Sequence, residues 1–196
     1  MLAILERLDH QLFFAVNHGL STLVLDYVFW VVSVLGYGVV LVSLAGMGLW
    51  WRDRQTFKQH FGWLILAVLA GAALVQVLKF GCARPRPLGE FAALVQAGEV
   101  YINIIGRQLR HRSFPSGHAQ AATSVFTYLL CLYPQRWCWW AGGIFLIGLS
   151  RLYVGVHFPS DVLVGTLIGS LSAVGALGLQ RRQNVLPAAG GRRPAE

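Results

Sequence analysis

Long apolar runs of about 20 residues are the feature that most constrains this chain. Residues 61–80 form one of the clearest, and residues 161–179 form another. A helix needs about 20 mainly apolar residues to cross a bilayer, and irregular backbone cannot cross it because unpaired peptide groups are too costly in lipid. Only 12% of the residues are charged, whereas soluble domains have roughly 25%. The sequence therefore predicts an all-α fold, a polytopic membrane helical bundle.

Hydropathy divides the chain into five clear transmembrane helices and an ambiguous start. The predicted spans are residues 29–51, 61–80, 115–133, 137–152 and 161–179. Residues 1–20 have apolar side chains at helical spacing, but Glu6, Arg7 and Asp9 interrupt them. This amphipathic segment is either an interfacial helix or a short sixth span.

We expect a single membrane-embedded domain over residues 1–180, followed by a disordered basic cytoplasmic tail over residues 181–196. Residues 81–114 are predicted to be a long loop with a short helix near residues 90–96. In the last span Gly165, Gly169 and Ala173 recur every four residues, a pattern that favours close helix packing.

Positive charges orient the bundle. They cluster after the first span, in the turn after the third and in the tail, which five spans place on one side of the membrane. The residues are Arg52, Arg54, Lys58, Arg136, Arg181, Arg182, Arg192 and Arg193. Such loops face the cytoplasm. We therefore expect a multi-pass membrane protein, with the 81–114 loop and the 153–160 turn on the extracytoplasmic face.

A second group of cations contradicts this charge rule, because it lies on the predicted outer face. Its members are Lys79, Arg84, Arg86, Arg107, Arg110, Arg112 and Arg151. Lysine and arginine suit phosphate recognition, so a phosphate-bearing ligand is one explanation and contact with lipid headgroups is the other. The net charge of +8 does not indicate nucleic acid, because the basic residues form no continuous stripe.

The segment from Ser150 to Asp161 carries an arginine, a histidine and an aspartate between two apolar runs. Pro159 is a favoured first residue of a helix, which places Asp161 in the first turn and four residues beyond His157. The carboxylate can then fix the orientation of the imidazole, which would make it a nucleophile or a base. Alternatively, Asp161 only favours a helix N-terminus and His157 is an interfacial histidine.

A phosphoryl-transfer site needs a nucleophile, an acid for the leaving oxygen and cations on the phosphate. His157 is the candidate nucleophile, oriented by Asp161, and His118 is the candidate general acid. The candidate phosphate-binding residues are Lys79, Arg86, Ser116, Gly117 and Arg151.

Metals and cofactors have no obvious ligands in this sequence. Besides Asp161, only Glu90 and Glu99 are expected near the outer face, which is too few acids for a two-metal phosphatase. Cys82, Cys131 and Cys138 lack metal-ligand spacing. We therefore expect a mechanism without metal or cofactor.

Three motifs occur in a fixed order. The first is Lys79 with Arg86-Pro87, the second is residues 115–118 with the sequence PSGH, and the third joins Ser150-Arg151 to His157 and Asp161. Together they resemble the three-part signature of the type 2 phosphatidic acid phosphatase superfamily, with no departure at a signature position. The resemblance covers about residues 60–180.

The resemblance implies a membrane lipid phosphatase in which His157 forms a phosphohistidine, His118 protonates the leaving group and Asp161 assists the nucleophile. It also implies that the five phosphate-binding candidates named above hold the phosphate. Candidate substrates are undecaprenyl diphosphate, phosphatidic acid, phosphatidylglycerol phosphate and lipid A phosphates. Family members usually have six spans, which leaves residues 1–20 open between the two alternatives.

Two other functions remain open. A lipid phosphotransferase would pass the same phosphoryl group from the histidine to an acceptor lipid instead of water. A non-catalytic phospholipid-binding or transport protein would only hold a headgroup, although it would not need two histidines and an orienting aspartate. Headgroup selection is predicted to depend on the 88–114 loop through Glu90, Tyr101, Arg107, Arg110 and Arg112. The expected partner is a membrane lipid substrate, and the oligomeric state is left open.

Overall fold

A computed structural model describes residues 2–185 of the chain, and it contains helices and no strands over that range. The all-α prediction is therefore confirmed for these residues. The helices are α1 (Leu2–Asn17), α2 (Leu23–Leu35), α3 (Gly38–Arg52), α4 (Arg54–Cys82), α5 (Pro87–Glu90), α6 (Ala92–Gln96), α7 (Gly117–Leu132), α8 (Trp137–Tyr153) and α9 (Pro159–Val185). A 3₁₀ turn, Pro134–Arg136, joins α7 to α8.

The first predicted span is two helices rather than one. α2 and α3 are bent by 72° relative to each other at a break after Leu35. Gly36 lies at this break, where an added Cβ would come within 2.9 Å of Ile147 Cγ2 and 3.5 Å of His118 Cδ2. The bend therefore lets the backbone approach α7 and α8 more closely than a larger residue would allow.

Few of the described helices are long and apolar enough to cross a membrane. By length and apolar composition, only α4 and α9 of the described helices could each cross a membrane, and the bent α2–α3 pair could make a third span. α7 has 16 residues and α8 has 17, which is less than the roughly 20 residues of a typical span. The count of five transmembrane helices is therefore not confirmed.

The centre of the bundle is the contact between α7 and α9, which is the most extensive helix pair. A Cβ added at Gly165 would collide with the backbone oxygen of Ser116, and one at Gly169 would collide with the backbone oxygen of Gln120. Ala173 is completely buried. The stripe of small residues thus acts as predicted, by letting two helix backbones approach closely.

α1 packs against the start of α9 and against the loop before α7. Phe13 is fully buried, with its ring 5.4 Å from that of Phe158. The side-chain amide of Asn17 donates to the backbone oxygens of Asn103 and Tyr153, both at 2.8 Å. Neither alternative for residues 1–20, interfacial helix or short span, is decided by these contacts. They do make α1 part of the same packed unit as the predicted site.

Two predicted boundaries need correction. The loop after α4 contains two short helices, α5 and α6, where one helix near residues 90–96 was expected. α9 continues through Arg181 and Arg182 to Val185, because the helix does not break at the first charges of the predicted tail. The rest of the predicted disordered tail, residues 186–196, lies outside the described residues.

Candidate active site

The turn between α8 and α9 positions the predicted nucleophile. Gly155 has a φ of 78°, a conformation that favours glycine, and a Cβ there would lie 2.6 Å from the backbone oxygen of Asn103. Pro159 then begins α9. His157 is 2% exposed and Asp161 is completely buried. A turn that only glycine fits thus directs both side chains into the protein.

The carboxylate of Asp161 is held from several directions. Its Oδ2 lies 3.4 Å from Nδ1 of His157 and accepts hydrogen bonds from the backbone nitrogen of Phe158, at 2.9 Å, and from the hydroxyl of Ser113. Its Oδ1 accepts a hydrogen bond from Nη1 of Arg84 at 2.9 Å. The carboxylate therefore has little freedom to move away from the imidazole, as the sequence predicted.

The second ring nitrogen of His157 lies on the side of the cations, with Nε2 3.4 Å from Nη1 of Arg86. Burial lowers the pKa of His157 to about 3, although the hydrogen bond with Asp161 acts in the opposite direction. The imidazole is consequently neutral near pH 7. With Nδ1 next to Asp161, the lone pair of Nε2 is available for attack on an electrophile.

Backbone carbonyls, rather than carboxylates, hold two of the predicted phosphate-binding cations. Arg86 donates from Nε to the oxygen of His111 at 2.9 Å and from Nη1 to the oxygen of Val156 at 3.1 Å. Lys79 Nζ donates to the oxygen of Arg112 at 2.9 Å. Carbonyls fix the geometry of these groups without neutralising their charge, which leaves that charge for an anion.

Two predicted residues carry buried polar atoms without a protein partner. Within the described residues, three such side-chain atoms occur: Nε2 of His118, Nε of Arg151 and Oγ1 of Thr123. The guanidinium of Arg151, 6% exposed, also donates from Nη1 to the hydroxyl of Ser33. An unsatisfied buried polar group costs about 1–3 kcal/mol, so a ligand that pairs with these atoms removes a cost.

The start of α7 is fastened to the start of α9. The backbone nitrogen of Ser116 donates to the backbone oxygen of Asp161 at 2.9 Å, and the Ser116 hydroxyl caps α7 by accepting from Ala119. Around Gly117, the nearest atom to an added Cβ is Val75 Cγ1 at 3.9 Å. Peptide N–H groups at a helix N-terminus attract anions, and this terminus is bonded to the backbone of the third motif.

The structure brings the three predicted motifs together. His118 is within electrostatic range of Arg151, His157, Arg86 and Lys79. Lys79 in turn is within range of Asp161. Ser116 and Gly117 join this group through the backbone contact with Asp161. The eight residues selected from the sequence are therefore linked to one another by backbone contact or by electrostatic proximity.

Four further residues belong to this arrangement and were not assigned to it from the sequence. Ser113 contacts Asp161, and Ser33 contacts Arg151, as described above. Arg84 was counted among the outer cations without a role, and it links Asp161 to Asp9 on α1, with Nη2 2.7 Å from Asp9 Oδ2. The guanidinium also lies 4.4 Å over the ring of Phe158. In the sequence, the position of Arg84 between Lys79 and Arg86 of the first motif could have indicated that it belongs to the site.

Asp9 corrects the expectation that only Asp161, Glu90 and Glu99 supply acids on this face. It is 6% exposed and accepts hydrogen bonds from the backbone nitrogen and hydroxyl of Ser160, at 2.8 and 2.6 Å. In the sequence, Asp9 only interrupted the apolar face of α1. Its side chain points to the site because α1 packs there, which local periodicity does not reveal.

The loop residues predicted to select the headgroup differ in their surroundings. Glu90 accepts a hydrogen bond from His10 on α1 at 2.6 Å, and the ring of Tyr101 lies 5.9 Å from that of His18, just after α1. Arg107, Arg110 and Arg112 are exposed. Tyr101 is exposed as well, and the guanidinium of Arg112 lies 4.4 Å over the ring of Phe80.

Potential metal ligands in the described part of the chain come together at one place, outside the histidine cluster. Glu6, His10 and Glu90 offer ligand atoms within 4.8 Å of one another. The hydrogen bond between His10 and Glu90 already explains the approach of two of them. These three side chains are not among the residues of the predicted phosphate site.

Together, the fold and this cluster define a helical membrane protein with histidines and arginines gathered at the starts of α7 and α9. The chain belongs to the PAP2 superfamily, whose sequence profile matches residues 60–184. The matched range contains all eight predicted residues, and the family predicted from the three motifs is confirmed.

Most of the named relatives are phosphatases, and one, from Bacillus licheniformis, is named a bacitracin transport permease. Undecaprenyl-diphosphatase of Sulfolobus acidocaldarius is 32% identical over 55% of this chain and 48% of its own length. Undecaprenyl-diphosphatase BcrC of Bacillus subtilis is 28% identical over 82% of this chain and 78% of its own length. For six of the curated relatives the chain spans only 30% to 48% of the relative's length.

Two solved structures share the fold. LpxE of Aquifex aeolicus is 34% identical with a TM-score of 0.69, over 87% of this chain and 95% of that one. A phosphatidylglycerolphosphate phosphatase of Bacillus subtilis has a TM-score of 0.71 over 91% of this chain and 87% of that one, at 22% identity. The second likeness concerns the fold alone.

Proposed function

We propose that this protein is an integral membrane lipid phosphatase that hydrolyses a phosphomonoester or diphosphate through a phosphohistidine on His157, without a metal ion. One observation carries the proposal. The Nδ1 side of His157 is held by Asp161, while its Nε2 lies beside Arg86, which forms no ion pair within the described residues.

In the first step, the lone pair of His157 Nε2 attacks the terminal phosphorus and forms a P–N bond while the bond from that phosphorus to the leaving oxygen breaks. The leaving oxygen is the lipid oxygen of a phosphomonoester or the bridging oxygen of a diphosphate. His118, which the bound phosphate anion favours in its protonated form, donates that proton to the leaving oxygen. Asp161 stabilises the positive charge that develops on the imidazole. Lys79, Arg86, Arg151 and the amide of Gly117 hold the phosphate oxygens, and their preorganised charge lowers the barrier.

In the second step, water attacks phosphorus and the P–N bond breaks, which returns the electron pair to Nε2. His118 accepts the proton of the attacking water, so its role is reversed from the first step. Inorganic phosphate leaves, and both histidines regain their starting protonation states.

The proposal includes five membrane-crossing segments, with the site on the extracytoplasmic face of a bacterial inner membrane. α7 runs from the site at Gly117 to the turn at Pro134–Arg136, a distance of about 24 Å for 16 residues. The basic turn and the site therefore lie at opposite ends of the bundle. The positive-inside rule places the turn in the cytoplasm.

The substrate class is a lipid phosphate, and the candidates are undecaprenyl diphosphate, phosphatidic acid, phosphatidylglycerol phosphate and lipid A phosphates. The relatives named as undecaprenyl-diphosphatases support the first candidate. Arg107, Arg110 and Arg112 are exposed and would contact the part of the headgroup beyond the reacting phosphate. Replacing all three with glutamine should change the ranking of these substrates, and an unchanged ranking would remove the loop from headgroup selection.

The mechanism is tested with purified protein in detergent and EDTA, using labelled undecaprenyl diphosphate and phosphatidic acid. We expect phosphate release in EDTA and an acid-labile, base-stable label on the protein. His157→Asn should abolish the label and reduce turnover by roughly 10⁴-fold or more, because removal of a nucleophile has effects of that size. Full activity of this variant, or activity that requires added metal, would refute the mechanism. Transfer of label to an acceptor lipid with little free phosphate would identify a phosphotransferase instead.

A further inference from the structure

An apolar cavity of about 510 Å³ lies between α2, α3, α7 and α8, away from the histidine cluster. Its lining includes Val32, Leu41, Leu44, Gly48, Leu129 and Leu146. Ligand-binding cavities usually have volumes of roughly 300–1,000 Å³, so this one is large enough for a hydrocarbon chain.

The cavity lies in the half of the bundle remote from the site. The residues of α7 that line it begin at Val125, whereas His118 is in the first turn of that helix. On α8 the lining residues run from Trp140 to Ile147, before the segment that carries Arg151. A headgroup bound at His118 therefore lies at the opposite end of the helices from most of the cavity.

Two arginines line the far end of the cavity, Arg52 at the end of α3 and Arg136 in the turn before α8. Among the residues that the structure describes, neither forms an ion pair. Arg52 Cζ lies 5.2 Å from the centre of the Tyr133 ring, and Trp140 Nε1 donates to the backbone oxygen of Tyr133 at 3.1 Å. Arginines beside tyrosine and tryptophan are typical of a membrane–water interface, so this end lies at headgroup level.

We propose that this cavity binds a membrane phospholipid with an anionic headgroup, in the leaflet opposite to the phosphatase site. The headgroup phosphate contacts Arg52 and Arg136, and one acyl chain occupies the cavity. The charge of the arginines identifies the occupant. A substrate tail entering from the site would fill only the apolar part, whereas a lipid of the opposite leaflet matches both the apolar wall and the cationic end.

Native mass spectrometry tests this proposal without any turnover. The protein is released from nanodiscs containing equal amounts of phosphatidylglycerol and phosphatidylcholine, and the lipid retained is identified. We expect one retained phosphatidylglycerol. Arg52→Ala with Arg136→Ala should weaken its binding by roughly 25-fold, because each cation near a membrane surface contributes about fivefold. Arg54→Ala is the matched control, since Arg54 is exposed near the same surface but does not line the cavity.

Filling the cavity gives a second, independent variant. An added Cβ at Gly48 meets no atom within 4 Å, so Gly48→Leu can occupy the cavity without displacing protein. We expect it to reduce phosphatidylglycerol retention, while Gly142→Leu, also without a neighbour within 4 Å and outside the lining, should not. Equal retention of both lipids, or unchanged retention in these variants, would overturn the proposal. Selective loss of long-chain substrate turnover in Gly48→Leu, with retention unchanged, would assign the cavity to the substrate tail.

Discussion

The surroundings of His157 and of His118 differ in how fully their polar atoms are paired. Around His157, the carboxylate of Asp161 accepts bonds from Phe158, Ser113 and Arg84. Around His118, Nε2 has no described partner, and neither has Nε of the neighbouring Arg151. Folding alone thus holds His157, the proposed nucleophile, while these two nitrogens on the side of His118 have no partner among the described residues. Catalytic groups that are held before the substrate arrives need no reorganisation during the reaction.

The largest expected effect concerns His118 and tests whether its side of the site differs from that of His157. If it contacts only the leaving oxygen, His118→Ala should slow lipid phosphate hydrolysis by roughly 10³-fold, within the usual range for general acids. Phosphohistidine formation from p-nitrophenyl phosphate should be affected far less, because nitrophenolate leaves without a proton. Rapid-mixing measurements of nitrophenol release give the rate of phosphohistidine formation, and lipid assays give the rate of lipid phosphate hydrolysis.

A control variant for this test is His111→Ala. The side chain of His111 is exposed, and His111 accepts the hydrogen bond from Arg86 through its backbone oxygen, which the substitution keeps. It should retain activity with both substrates. Equal losses with both substrates in His118→Ala would mean that His118 does not act as the acid and would remove the proposed division of roles.

An intermediate effect is expected from the link between α1 and the nucleophile side. Asp9→Asn or Arg84→Gln should lower kcat by roughly 10- to 100-fold with little change in KM, because small displacements of reacting groups have effects of this order. The two residues act through one contact, so the double variant should lose little more than either single variant. Steady-state kinetics of the complete cycle measure this coupling.

Glu6→Gln is the matched control for Asp9→Asn, because Glu6 is an exposed acid on the same helix. It should leave kcat unchanged. Additive losses in the double variant, or an increase in KM with constant kcat, would show that Asp9 and Arg84 do not act by positioning Asp161.

The smallest effect concerns the tether of Arg151 on the unpaired side. Ser33→Ala removes a hydrogen bond to the guanidinium and should raise KM by about two- to tenfold, the value of one such bond. Ser43→Ala, an exposed serine on α3, is the control. A change in kcat without a change in KM would place Ser33 with the positioning residues of the nucleophile side and thereby revise the comparison.

The sequence by itself determined those features that depend on local spacing. Apolar runs require helices in lipid, and the four-residue interval of Gly165 and Gly169 puts both on one helix face. The positions of His157, Pro159 and Asp161 fix the geometry of the predicted nucleophile, because a helix beginning at Pro159 returns the carboxylate to the imidazole. The family followed from the order of the three motifs.

Only the tertiary structure decided how distant segments meet. Asp9 contacts Arg84 across 75 positions and Ser160 across 151 positions, so no local pattern could pair them. The break at Gly36 follows from the close approach of Ile147 and His118, which come from two other helices. Periodicity specifies which face of a helix is apolar, but the polar atom that each buried side chain meets is set by the packing of the whole bundle.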